Sequence, residues 1–245
     1  MSERIGSLTL AHAVERLTSN GDFLVGVDFD GTLAPHVDHP DDAAPDMRAI
    51  ELLSVIASRP GIDVAVVSGR ALDSLRARLG EVPGAILVGE HGNDLGASSP
   101  PDPLIEAAVS LIEGIAEEAG GVTVERKPHS VTFHYRRLDD DEADGYLERI
   151  RAWASGHDRV SLLEGKSVVE LSTATRNKGD AIRELARGRN SIYIGDDATD
   201  ENVFAILGPD DVGVKVGDGP TAASHRVEDI DGVVAILEQI VLASR

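Results

Sequence analysis

A chain of 245 residues with 42% hydrophobic content suits one large domain, or a core with a smaller one appended. Its formal net charge of −20 argues against nucleic acid or an anionic membrane as partner, and repels an anionic substrate unless basic residues gather at the site. With no cysteine there are no disulfides or thiolate metal sites; with no apolar run of about 18 residues and no basic segment leading into an apolar one, a cytoplasmic location is expected.

Residues 1–20 read as an amphipathic helix, with Leu8, Leu10, Ala13, Val14 and Leu17 on one face. Ser19-Asn20-Gly21-Asp22 breaks it. The strand-like run Phe23-Leu24-Val25-Gly26-Val27 then leads into Asp28-Phe29-Asp30-Gly31-Thr32-Leu33. Side chains two apart in a strand share a side, so Asp28 and Asp30 are expected to face one volume, where like charges call for a cation or a proton-transfer role. The loop from Ala34 to Asp42 holds two prolines with His36 and His39, and reads as solvated. A helix over about 46–58 follows, with Pro45 suited to its first turn.

Ile62 to Val67 is an apolar strand ending in Ser68-Gly69-Arg70, followed by a helix over 72–79. Ala85 to Val88 is another, ending in Gly89-Glu90-His91-Gly92. Fully apolar strands alternating with helices predict a parallel sheet covered on both faces. The three prolines of Ser98-Ser99-Pro100-Pro101-Asp102-Pro103 mark a linker.

Beyond it the pattern changes. A helix over 104–119 leads to strands near 122–126 and 130–136. In the second, Val131, Phe133 and Tyr135 alternate with Ser130, Thr132, His134 and Arg136, as in a sheet with one buried face. A helix over 141–154 carries Trp153 as core packing, and two short strands lie near 160–163 and 167–171. Residues 103–172 therefore read as an inserted α/β module with an open-faced sheet, between core segments 1–102 and 173–245. Core patterning returns with a helix from Lys178, a strand 191–194 ending in Gly195-Asp196-Asp197-Ala198-Thr199-Asp200-Glu201, a strand 212–216 and a closing helix.

Ligands bind outside the carboxyl ends of strands in open parallel sheets. Asp28 and Asp30, Ser68, and Asp196, Asp197 and Asp200 all fall at such ends and are expected to converge. Carboxylates without His or Cys suit a hard, oxygen-liking cation such as Mg²⁺. Lys178 sits in a first helical turn, where the macrodipole disfavours a cation by roughly 0.3–1 kcal/mol, so it is expected to balance a nearby anion.

Asp28-Phe29-Asp30-Gly31-Thr32, Ser68-Gly69-Arg70, Lys178 and the 195–201 segment resemble the four ordered motifs of haloacid dehalogenase-like phosphohydrolases. The resemblance implies a Rossmann-like parallel-sheet core with an inserted α/β cap. It implies that Asp28 is the nucleophile forming an aspartyl-phosphate and Asp30 the general acid/base. Ser68 and Lys178 would hold phosphoryl oxygens, with Gly31, Thr32, Gly69 and Arg70 in the phosphate site. Mg²⁺ would be bound by Asp28, the Asp30 carbonyl and Asp196, with Asp200 in support. Gly31 and Gly69 are expected to leave backbone N–H groups open to phosphate.

A narrower similarity is to trehalose-6-phosphate phosphatases. It rests on the 195–201 segment, Gly89-Glu90-His91-Gly92, Lys127-Pro128-His129-Ser130 through His134-Tyr135-Arg136, and Glu164 to Glu170. It implies that Lys166 and Glu170 grip the sugar, with His91, Lys127, His134 and Arg136 near it. One departure is Asn93-Asp94 where that family usually has Glu two residues after His-Gly, so Asp94 would act with a shorter reach or the sugar pocket would differ. The leading expectation is a monomeric Mg²⁺-dependent phosphatase of trehalose 6-phosphate. Its rivals are the same chemistry on sucrose phosphate or mannosylglycerate phosphate, a receiver-type phospho-acceptor, and a non-catalytic sugar-phosphate binder.

Overall fold

A computed structural model describes residues 9–19, 21–37, 39–95, 102–165 and 167–244. Leu8, Asn20, most of the 98–103 linker and Lys166 lie outside the described residues. Two compact units result: Met1–Ala97 with Arg176–Arg245, and Ser98–Thr175.

The larger unit runs α1 (Leu10–Ser19), β1 (Phe23–Asp28), α2 (Met47–Ala57), β2 (Ile62–Val67), α3 (Leu72–Leu79), β3 (Ala85–Gly89) and β4 (Asp94–Leu95). It resumes with α6 (Lys178–Ala186), β9 (Asn190–Gly195), α7 (Glu201–Phe204), β10 (Val212–Val216), β11 (His225–Val227) and α8 (Ile230–Ala243). Its sheet has the order β11-β10-β9-β1-β2-β3-β4 and is parallel except for β4. All six residues of β1 are buried, as a central strand covered on both faces requires. Phe23, Val25 and Val27 pack with α1, α2, α3 and α8, while Leu24 packs with α6 and α7. Strand alternation therefore sends Asp28 to the α6 side.

Three short elements, β4, α7 and β11, carry too few residues for a periodic signal. Pro45 also differs from expectation: Asp46 caps α2, accepting the Arg48 N–H at 2.9 Å, so the proline precedes the helix. The shared face expected for Asp28 and Asp30 is not formed by the strand. The ladder ends where Asp28 pairs with Val67, and the chain then turns around the Phe29 carbonyl, which accepts the Leu33 and Ala34 N–H groups at 2.9 Å.

The smaller unit comprises α4 (Pro103–Ala119), β5 (Thr123–Arg126), β6 (Ser130–His134), α5 (Asp140–Ser155), β7 (Ser161–Gly165) and β8 (Val168–Ser172). Its strands form a fully antiparallel sheet, β5-β6-β8-β7. Val131, Phe133, Val169 and Leu171 pack against α4 and α5 in a separate core. Asp102 caps α4 through the Leu104 N–H, with Pro103 in the first turn. β6 stops at His134, leaving Arg136 exposed beyond it, and Ser130 and Thr132 of the expected open polar face are buried.

Candidate active site

The site is built on the carboxyl end of β1. Asp28 is almost fully buried there, and Lys178 Nζ lies 2.8 Å from its Oδ1. Lys178 is itself 1% exposed and opens α6, whose first turn is held by a capping box between Asn177 and Asp180. The ammonium also lies 2.8 Å from Asp200 Oδ1 and 3.8 Å from Asp197 Oδ1. The unfavourable charge at a helix N-terminus is thus offset by three carboxylates, which hold the Lys178 pKa above the ordinary lysine range against the opposing effect of burial.

Asp200 is fully buried and its acceptor sites are filled. Oδ1 takes Lys178 and the Tyr193 hydroxyl, the latter at 2.7 Å, and Oδ2 takes the Asp196 and Asp197 N–H groups at 2.9 and 3.0 Å. Asp200 therefore ties the β9–α7 turn to the lysine. Burial, aided by neighbouring acids, pushes Asp28 well above the usual carboxylate range and raises Asp200 too. Partial burial acts upward on Asp197 as well, but Lys178 and bonds from Thr199 and Asp200 bring it down to about 2.

Asp196 completes the cluster. Thr32 Oγ1 lies 3.5 Å from its Oδ1, and His36 Nε2 lies 2.8 Å from its Oδ2. The His36 ring, though largely exposed, therefore reaches the site from the loop expected to be merely solvated. Gly31 makes the approach of Asp196 possible: its φ is +83°, and a Cβ there would fall 2.2 Å from Asp196 Oδ2.

Single carboxylate oxygens of Asp28, Asp196 and Asp200 lie within 4.8 Å of one another. One ammonium among these acids leaves an excess of negative charge, and the donors are oxygens only. The residues therefore fit a divalent cation.

Asp30 is held differently. Its carboxylate accepts Arg70 Nε at 2.7 Å and Nη2 at 2.6 Å, and the guanidinium lies 5.4 Å from the Phe29 ring centroid. The Arg70 N–H donates to Ser68 Oγ at 3.1 Å. The Ser68–Arg70 turn is braced by the next strand end, where the Glu90 N–H donates to the Arg70 carbonyl and the His91 N–H to that of Ser68. Glu90 and His91 adopt φ of 50° and 53°, a strain of order 1–3 kcal/mol each. The His91 ring sits where a Cβ on Gly69 would be, 2.3 Å from that position, so Gly69 provides space as well as an N–H. Asp94 is fully buried on β4.

In the smaller unit, Lys127 and His134 meet at Glu125, at 3.7 and 3.3 Å. Glu170 accepts the Thr132 hydroxyl at 3.2 Å across the β6–β8 pair. Glu125 was not singled out in the sequence. Neither was Tyr193, which reads as one more apolar residue of a buried strand. A usable signal was Gly26, because glycine inside a strand marks close approach. A Cβ at Gly26 would lie 2.7 Å from Tyr193 Cδ2.

The trehalose-phosphatase family profile matches residues 26–230. The bifunctional trehalose-6-phosphate synthase/phosphatase of Thermoproteus tenax is 37% identical over 233 residues, covering 89% of this chain and 32% of that protein. The trehalose-phosphate phosphatase of Mycobacterium avium is 35% identical over 252 residues, covering 89% and 63%. The chain thus spans less than two thirds of either relative's length. Among solved structures, the C-terminal domain of C. albicans trehalose-6-phosphate phosphatase aligns with a TM-score of 0.74 at 22% identity, covering 96% and 97% of the two chains. A trehalose-6-phosphate phosphatase related protein aligns at 0.73 and 27% identity, covering 89% and 97%.

Proposed function

The chain belongs to the trehalose-phosphatase family, and on that footing we propose that it hydrolyses trehalose 6-phosphate to trehalose and phosphate. The observation that carries this reading is the buried contact between Asp28 and Lys178 at the strand end, with Asp196 and Asp200 around it. A carboxylate nucleophile divides hydrolysis into two easier steps. In the first, an Asp28 oxygen bonds to phosphorus while the phosphorus–sugar oxygen bond breaks, and Asp30 gives that oxygen a proton. In the second, water attacks the same phosphorus, its proton passes to Asp30, and the bond to Asp28 breaks. Both residues return to their starting state.

Lys178 supplies positive charge to the transferring phosphoryl group, with Ser68, Thr32 and the Gly69 backbone as donors, since such transfers depend mostly on positioning and electrostatics. The Gly31 N–H, expected to be open to phosphate, is instead donated to the Ala34 carbonyl at 2.7 Å, which closes the turn after β1. When bound, Mg²⁺ held by Asp28, Asp196 and the Asp30 carbonyl, with Asp200 in support, would screen the repulsion between carboxylate and phosphate. The Ser98–Thr175 unit, corresponding to the insert read at 103–172, serves as the cap. Lys127, His134, Arg136, Lys166 and Glu170 from it, and His91 from the larger unit, recognise the sugar. The enzyme acts as a cytoplasmic monomer on a small sugar phosphate. No helix among the described residues is long and apolar enough to cross a membrane.

The test is phosphate release from trehalose 6-phosphate with and without Mg²⁺, with glucose 6-phosphate as counter-substrate. Expected are metal-dependent release, preference for the disaccharide, and a loss of roughly 10³-fold or more in Asp28→Asn. Equal rates on the two sugars would sink the disaccharide assignment. An unimpaired Asp28→Asn enzyme would sink the mechanism.

A further inference from the structure

Asp30 presents a positioning problem. It lies past the end of β1, on a turn the sheet does not hold, and its side chain is one-third exposed. A proton-transferring carboxylate must stay within hydrogen-bond reach of the oxygen it serves, so an unrestrained Asp30 would spend much of its time misdirected. Among the described residues, one side chain restrains it. Arg70 engages both carboxylate oxygens at 2.7 and 2.6 Å, a two-point contact that fixes the plane of the group as well as its place.

The arginine is itself held. Its side chain is 10% exposed, its guanidinium lies against the fully buried Phe29, and its backbone is fastened on both sides, by Ser68 Oγ and by the Glu90 N–H. The cation at the end of Ser68-Gly69-Arg70 is therefore aimed at the proton carrier, while Lys178 is the cation aimed at the nucleophile. We infer that Arg70 is a positioning residue that fixes Asp30 for its proton transfers, and that it is not a ligand of the phosphoryl group. The inference rests on the phosphatase reading above.

The two roles separate experimentally. Arg70→Gln and Arg70→Lys enzymes are compared with the wild type, all with Mg²⁺. The readouts are kcat and KM on trehalose 6-phosphate, calorimetric affinity for inorganic phosphate, and the first-turnover rates on trehalose 6-phosphate and on p-nitrophenyl phosphate. The last substrate's leaving oxygen departs as a stable anion and needs little help from an acid. For a positioning role, kcat on the sugar phosphate falls by about 10²-fold, the lower end of general acid–base contributions. Phosphate affinity stays close to wild type, and the first turnover of p-nitrophenyl phosphate suffers much less than that of the sugar phosphate. The lysine variant fails in the same pattern, because an ammonium cannot make the two-point contact; it also carries the test if the glutamine variant does not fold.

Phosphate affinity falling in step with kcat, together with equal losses on both substrates, would make Arg70 a phosphate ligand and overturn the inference. Unchanged kcat in folded variants would overturn it as well. A wild-type enzyme inert toward both substrates would overturn the phosphatase reading and this inference with it, whereas an active wild type confines any failure to Arg70.

Discussion

A buried cluster of the larger unit and the surface pairs of the smaller one bring basic and acidic side chains together in opposite physical settings. In the larger unit, Lys178, Asp28 and Asp200 have side chains 1%, 5% and 0% exposed, and every contact lies at 2.8 Å. In the smaller unit, Arg149–Glu118, Arg126–Glu113 and His134–Glu125 join side chains that are each roughly half exposed. Water screens the second set, and side-chain ordering opposes it, so such pairs contribute little. The first set has lost its water, so each charge depends on its partners. The fold can place a buried charge exactly where chemistry needs it, at the cost of fold stability; a surface charge is placed loosely and costs little.

Breaking the buried set gives the largest effect. Lys178→Met removes the ammonium but leaves Asp28 and Asp200 in place, and destabilisation of roughly 3–5 kcal/mol is expected in the metal-free protein. The pH dependence has a definite sign. Lys178 works against the burial that raises both acids, so without it their folded pKa values rise further, the folded variant binds more protons than the folded wild type, and the deficit grows as pH rises. Denaturant unfolding from mild acid to neutral pH measures it, and a deficit independent of pH would contradict the account.

A smaller change sharpens the same point. Tyr193→Phe keeps the ring that Gly26 accommodates and deletes only the hydroxyl bonded to Asp200. Leaving one buried acceptor site of Asp200 empty is expected to cost about 1–3 kcal/mol, readable as a shift in the denaturation midpoint. The smallest effect belongs to the surface set. Arg149→Ala is expected to leave the midpoint unresolved from wild type at high salt, and a clear salt-independent loss would erase the contrast between the units.

How far the site was legible follows from the kind of signal each residue carries. Lys178 was legible because a cation in a first helical turn conflicts with local electrostatics, and three carboxylates around it resolve the conflict. The convergence of strand ends was legible because fully apolar strands demand a parallel sheet. The placement of Asp30 relative to Asp28 was not legible, since spacing within a strand says nothing once the ladder stops at Asp28. Tyr193 was hidden because its ring satisfies the strand pattern while its hydroxyl does separate work. Glu125 was hidden because its meeting with Lys127 and His134 depends on β5–β6 pairing, which no local pattern specifies.

By itself, then, the sequence determined the alternation of strands and helices, the change of pattern in the insert, and the three polar clusters at strand ends. Periodicity and local electrostatics are properties of neighbouring residues. Only the tertiary structure decided that Asp200 is saturated by four donors, that Arg70 turns to Asp30, and that His36 reaches Asp196. Those contacts join residues separated by up to 160 positions along the chain, and such distances close only when the sheet has formed.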